Sequence, residues 1–312
     1  MEQHDPYAYI LSELSDINDA DSDELLAESL RQSQEFVAQL RKAYTKSPSN
    51  TDFSCEELRA AYLLAYYPVH IEIIYKILSS LSEDKRDQLF NYQKNRACFI
   101  GAGPAPEIIG WISFLEENYP DTDCAMAYVF DKYVDQWHKG LEITRYHLAP
   151  NYWTGKLITS LFRFDLMDYS TNWNARINRA FEISNFFYMQ NCINDLLSDE
   201  EQLLQNIVEL FRRIKPESIF IISDLVFPAI RGFLSKLVEV IEGENIGVCI
   251  RNRCNDTLTF TPQIIVPEII KAELLTGKDK LIPRKSTNYC YIVLERIADD
   301  GEIAQDDGVI PF

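Results

Sequence analysis

The chain has 312 residues, 46% of them hydrophobic and 25% charged, with a formal net charge of -18; this is enough apolar material for one large core with an appendage, or for two domains. The acidity argues against a partner held mainly through nucleic-acid phosphates, because Lys and Arg supply that affinity. No run of about 18 apolar residues is available to span a bilayer, the start MEQHDPYAYI lacks the pattern of a secretory leader, and seven scattered cysteines outline neither a disulfide framework nor a zinc site. A cytoplasmic location is therefore expected.

Residues 1–22 are acidic with little apolar periodicity and read as a loosely held arm, with Tyr7, Tyr9, Ile10 and Leu14 able to dock on a neighbour. Over 23–45, Leu25, Leu26, Leu30, Phe36, Val37 and Leu40 recur at near-helical spacing and predict an amphipathic helix. The stretch SPSNTDFS breaks it, and Ser54 followed three residues later by Glu57 reads as a capping box opening a second helix through Leu58, Tyr62 and Leu63. Pro68 kinks or ends that helix, and Ile71, Ile73, Ile74, Ile77 and Leu78 resume the apolar face. Residues 1–94 thus form an acidic arm and a helical leader, with no internal repeat.

From residue 95 short β-rich runs alternate with helical segments. The runs are 97–101, 124–131, 158–165, 185–191, 217–223, 246–251 and 287–297; helices are predicted over 106–118, 133–140, 173–182, 198–213, 228–242 and 265–275. Such alternation predicts an α/β fold, a mainly parallel seven-stranded sheet with helices on both faces. Ligands of such sheets sit beyond the carboxyl ends of the strands. There the first strand leads into Gly101-Ala102-Gly103-Pro104-Ala105-Pro106-Glu107, a two-glycine turn before a helix. Glycine lets the backbone turn sharply and lets a ligand approach, and free N–H groups at a helix start attract oxygen-rich groups. The second strand ends in Asp131, the third in Asp165, the fourth in Gln190-Asn191 and the fifth in Asp224. An acid after the second strand can accept ribose hydroxyls, and an acid after the third can accept an adenine amino group.

On these residues the region 95–298 resembles the class I S-adenosylmethionine-dependent methyltransferases, and its GAGPAPE turn resembles a branch with a Gly-x-Gly-Pro-x-Pro-Glu turn. The resemblance implies a Rossmann-like sheet whose last strand is antiparallel to the others. It also implies S-adenosylmethionine lying across Gly101, Ala102, Gly103 and Pro104, its ribose on Asp131 beside Lys132 and its adenine near Asp165 and Leu166. Where the family commonly has an acid two residues before the first glycine, this chain has Phe99, so Glu107 or another acid substitutes. The leader resembles N-terminal additions that close over cofactor or hold substrate, and residues 299–312 form an acidic tail.

Methyl transfer from a sulfonium chiefly needs the nucleophile, methyl and sulfur held in line, with water excluded. Gln190, also placed beside the cofactor, and Asn191 are candidate orienting groups, and Asp195 is a candidate base. Their sequence, QNCIND, does not match the Asn/Asp-Pro-Pro-Tyr box used for amino groups on bases. Aromatic faces attract a sulfonium; of Tyr66, Tyr67, Tyr133, Trp137, Tyr146, Tyr152 and Trp153 near the rim, Tyr67 and Trp137 are the two assigned to the cofactor. Pro106 stands where a dinucleotide fingerprint wants a third glycine, and no phosphate-binding Gly-x4-Gly-Lys loop is present. Cys192 reads as a buried small residue. Lys271, Lys280, Pro283, Arg284 and Lys285 mark a substrate-facing insertion before the last strand. The expected function is methyl transfer to a small molecule or protein; the alternatives are a non-catalytic methyltransferase-like binding or assembly protein and an RNA methyltransferase, and the oligomeric state stays open.

Overall fold

A computed structural model describes residues 6–17, 23–49, 51–90, 92–168, 170, 173–262, 264–275 and 286–298. The leader consists of α1 (Pro6–Ile17), α2 (Asp23–Ala43), α3 (Glu56–Ala65), α4 (Tyr67–His70), α5 (Ile73–Ser79) and α6 (Glu83–Phe90). It runs into β1 (Lys94–Ile100), α7 (Glu107–Asn118) and β2 (Cys124–Asp131). A helical passage over His138–Glu142, Ile143–Leu148 and Ala149–Tyr152, its middle part wound as a π-helix, leads to β3 (Lys156–Arg163). The remaining strands are β4 (Phe186–Gln190), β5 (Ile219–Leu225), β6 (Gly247–Asn252), β7 (Leu258–Phe260) and β8 (Thr287–Arg296), with helices Ala175–Ile183, Glu200–Arg213 and Pro228–Gly243 between them.

The strands form one mixed sheet in the order β3-β2-β1-β4-β5-β8-β6. Pairings among β3, β2, β1, β4 and β5 are parallel, while β8 runs antiparallel to both β5 and β6. The α/β fold with an antiparallel last strand is therefore as expected. The seven predicted strands are β1 to β6 and β8. The eighth, β7, pairs antiparallel with the start of β8 through Leu258↔Tyr289, Thr259↔Asn288 and Phe260↔Thr287; three residues are too few to register as an alternating run.

Alternate residues of each central strand feed two different cores, as the period of two requires. Ala97, Phe99, Phe186, Tyr188, Ile219, Ile221, Tyr291 and Val293 join a cluster that contains the leader and α7. Cys98, Ile100, Phe187, Met189, Phe220, Ile222, Ile292 and Leu294 join the cluster on the other face, with the helices Ala175–Ile183, Glu200–Arg213 and Pro228–Gly243. Because both faces are covered, these strands read as continuous apolar runs. The leader shares its core with one sheet face, and polar ties reinforce the contact: Lys85 Nζ meets Glu295 Oε1 at 2.5 Å, and Asn185 Nδ2 donates to Leu89 O across 2.9 Å. Gly110 of α7 lets the chain at Ile71 approach so closely that a Cβ there would lie 2.1 Å from Ile71 O.

Three local expectations are corrected. Residues 6–17 are a helix whose Tyr7, Ile10 and Leu14 are buried at helical spacing, where a loose arm was expected; Glu13 Oε1 also meets His147 Nε2 at 3.2 Å. The capping box at Ser54 does not form, because α3 begins after Cys55 and the Ser54 N–H donates to Asp52 Oδ1 across 3.0 Å. The helix predicted over 265–275 is shorter, Glu268–Glu273. Pro68 sits in the first turn of α4, where its missing N–H is harmless. Residues Lys280, Pro283, Arg284, Lys285 and the tail 299–312 lie outside the described residues. Among the described residues no helix is long and apolar enough to cross a membrane.

Candidate functional site

A cavity of about 230 Å³ opens beyond the carboxyl ends of β1, β2 and β4. Its floor is the glycine turn. The Gly101 N–H donates to Phe130 O of the neighbouring strand across 2.8 Å, the last rung of the β1–β2 ladder before the chain turns away. Gly101, Gly103 and Ala105 then take φ values of 65°, 54° and 55°, alternating left-handed positions that bend the backbone into a cradle. A Cβ on Gly101 would stand 3.0 Å from both Cβ and Sγ of Cys192, and one on Gly103 would stand 3.2 Å from the Trp137 indole. Each glycine is thus required by its backbone angle and by its neighbour. Ala105 adopts the same region with a side chain and is fully buried.

The acid after β2 is part of this turn. Asp131 Oδ2 accepts the Gly103 N–H at 2.9 Å and Asp131 Oδ1 accepts the Tyr133 N–H at 2.7 Å. Burial pushes its carboxyl up to about 6, against these two hydrogen bonds. Asp165 lies beyond β3, accepting the Met167 N–H at 3.0 Å and pairing with Lys132 Nζ at 2.9 Å. Glu107 opens α7 and lines the cavity; burial, and secondarily Asp131, raise its carboxyl to about 8. Phe99, two residues before Gly101, is a core residue packed edge-on against Trp111.

At the end of β4 the three candidates have separate fates. Gln190 is engaged at both ends: Oε1 accepts the Tyr188 hydroxyl at 2.7 Å and Nε2 donates to His70 O at 3.1 Å, so it ties the leader to the strand. Asn191 turns the chain with φ 54°, its N–H donating to Ser223 O across 2.9 Å. Its side-chain Nδ2 is buried and, among the described residues, has no hydrogen-bond partner. Asp195 accepts the Ser49 hydroxyl, and burial raises its carboxyl to about 6. The same leader segment is fastened twice more, Ser49 N to Asn194 O and Asn194 Nδ2 to Lys46 O, each at 3.1 Å. Asp224 is fully buried and does not line the cavity; its oxygens accept the N–H groups of Leu225 and Asn194.

The cavity brings together Gly101, Ala102, Gly103, Pro104, Glu107, Asp131, Lys132, Trp137, Asp165, Leu166, Gln190, Asn191 and Asp195, all on its lining. Tyr67 is the exception. It is fully buried, and its hydroxyl lies 2.6 Å from Thr144 Oγ1, which in turn donates to Pro104 O at 2.6 Å. Tyr67 supports the turn from behind. Four leader side chains missing from the sequence-level site also line the cavity: Tyr44, Thr51, Phe53 and Tyr62. They follow helical or loop patterns in the sequence, and nothing local marks them as facing strand ends far along the chain. Cys192 is buried and burial raises its thiol well above the usual range, as suits a packing residue. Among the described residues no group of three or more His, Cys, Asp or Glu could hold a metal ion.

No family model and no curated protein matches this chain. Solved methyltransferase structures are similar at low identity. A putative class I S-adenosylmethionine-dependent methyltransferase from Listeria monocytogenes is 14% identical, with a TM-score of 0.42 over 96% of this chain and 91% of that one. An O-methyltransferase family protein from Burkholderia thailandensis is 10% identical, with a TM-score of 0.44 over 89% and 72%. An N-methyltransferase from Bradyrhizobium japonicum in complex with S-adenosyl-L-homocysteine is 9% identical, with a TM-score of 0.40 over 85% and 100%. Likeness of this degree carries no residue role or reaction across, and the fold rests on the chain's own strand order. With parallel strands ordered β3-β2-β1-β4-β5 and a reversed β8 inserted before β6, the chain has a Rossmann-like fold.

Proposed function

We propose that the protein is an S-adenosylmethionine-dependent methyltransferase. The observation that carries this reading is one cavity touched at once by the glycine turn, Asp131, the Asp165–Met167 corner and the end of β4. The residues fit the cofactor. Asp131 spends one lone pair of each oxygen on backbone N–H groups and keeps the others for ribose hydroxyls. Leu166 and Met167 offer an apolar seat beside Asp165 for a base, and Glu107 supplies the acid that Phe99 lacks, suited to an amino group. The buried, unpartnered Asn191 Nδ2 among the described residues is a donor awaiting an oxygen. Bound there, S-adenosylmethionine would supply a methyl group already activated on a sulfonium. The protein's work is then positioning and exclusion of water, the latter by the leader's Tyr44, Phe53 and Tyr62.

Isothermal titration of the full chain with S-adenosylmethionine and S-adenosylhomocysteine, with NADH as control, tests the reading. Binding of the adenosyl pair alone supports it; no binding of either overturns it. The engagement of Gln190 at both ends favours a second reading, a binding protein that keeps the cofactor and has lost turnover. Cofactor binding without methyl transfer to any fraction of a cell extract would select that alternative.

A further inference from the structure

We propose that the part of the cavity between the leader and β4 takes a compact organic ammonium ion, which in the methyltransferase reading gives its proton to Asp195 and, as the free amine, forms the new N–C bond as the methyl leaves the sulfonium sulfur. The wall here is aromatic. Phe53 lies 5.4 Å from Trp137 and 5.6 Å from Tyr62, centroid to centroid, and Tyr62 lies 5.7 Å from Trp137. Tyr44, also on the lining, packs edge-on against Tyr66 at 4.9 Å. Two carboxyls border these rings. Glu107 and Asp195 line the same cavity as Tyr44 and Tyr62.

The charge pattern decides the class of ligand. Lys132 is the one basic side chain on the described lining, and Asp165 already holds it at 2.9 Å. An anionic ligand would face Asp195 with no free cation on the described lining to offset it. A neutral ligand would leave the Asp195 carboxylate without a counter-charge. An ammonium ion meets Asp195 by charge-assisted hydrogen bonds and gains from the ring faces as well, while Glu107 stays with the cofactor's amino group. Burial raises the Asp195 carboxyl above its usual range, and a bound ammonium would favour its charged form again.

The test uses the full chain and three probes of one shape: 2-phenylethylammonium chloride, 2-phenylethanol and 3-phenylpropionate, titrated with and without saturating S-adenosylhomocysteine. The ammonium should bind about tenfold more tightly than the alcohol or the carboxylate. Asp195→Asn should remove most of that preference while leaving the affinity for the alcohol unchanged. Equal binding of the three probes, tightest binding of the carboxylate, or no binding of any overturns the inference, as does an Asp195→Asn protein that keeps the preference. Should that variant not fold, the wild-type ranking of the three probes still decides. The cofactor arm is read separately: binding of S-adenosylhomocysteine without an ammonium preference removes this inference alone, whereas an ammonium preference without cofactor binding removes the methyltransferase reading alone.

Discussion

Asp131 accepts the backbone N–H of Gly103 across 2.9 Å, so the acid after β2 and the glycine turn after β1 are one mechanical unit. An acid reserved for ribose alone could be removed without touching the fold. Here, Asp131→Ala also leaves the N–H groups of Gly103 and Tyr133 without their acceptor. The expected result is S-adenosylhomocysteine affinity lower by about tenfold or more, together with a loss of roughly 1–3 kcal/mol of stability. Calorimetric titration and denaturant unfolding of the same preparation check the pair. Unchanged affinity with reduced stability would confine Asp131 to the turn.

Thr144 carries one hydroxyl proton and offers it to Pro104 O at 2.6 Å or Gly140 O at 3.0 Å, so the Tyr67 hydroxyl must donate to Thr144. Burial raises the Tyr67 hydroxyl well above its ordinary range and keeps the proton in place. Thr144→Val preserves shape but strands the Tyr67 donor, and should destabilise by roughly 1–3 kcal/mol. Tyr67→Phe removes the donor itself and should cost less, about 1 kcal/mol or below. Urea unfolding of the two variants gives the order; a Tyr67→Phe protein less stable than Thr144→Val would contradict this chain of bonds.

Gly110 reverses a general rule. Glycine to alanine inside a helix ordinarily stabilises by about 1 kcal/mol. At this position the new Cβ would lie 2.1 Å from Ile71 O and 2.7 Å from Ile74 Cγ2. Gly110→Ala should therefore destabilise by roughly 1–3 kcal/mol, by forcing the leader away from α7. A thermal midpoint equal to or above that of the parent would show that the leader yields without penalty.

Four buried carboxyls give the pH dependence a definite sign. Burial raises Asp131 and Asp195 to about 6, Asp224 to about 7 and Glu107 to about 8. Between the unfolded value and these raised values the native state holds more protons than the unfolded chain, so stability falls as pH rises. The contribution is complete below the ordinary carboxyl range and is lost as pH passes 6 to 8. Without ligand, the melting temperature should drop by several degrees or more between pH 5 and pH 8.5. The net charge of -18 pushes the same way, so Glu107→Gln is the discriminating variant: it should flatten the profile above pH 7 and reduce, without abolishing, the fall below it. A parent profile that is level or rising over this window would mean that these acids stay ionised in the folded protein.

Helices and strands of this chain are legible in its sequence because their signals are local. Leu30, Val37 and Leu40 recur at helical spacing along α2, and the apolar runs of β4 and β5 announce strands covered on both faces. The glycine turn and the acids Asp131 and Asp165 are equally local, since a strand end and the residues after it are adjacent in the chain. What the tertiary structure alone decided is how distant pieces meet. The leader's Ser49 reaches Asp195 across 146 positions of sequence, and Tyr44, Thr51, Phe53 and Tyr62 arrive at the cavity from helices and loops with no local mark of function. Tyr67 went the other way, from a candidate ligand group to a brace behind the turn, and Gln190, which does line the cavity, is also tied to His70. Periodicity tells which face of an element is buried, but not what buries it; that depends on contacts between residues far apart in the chain, which form only when the sheet and the leader have packed.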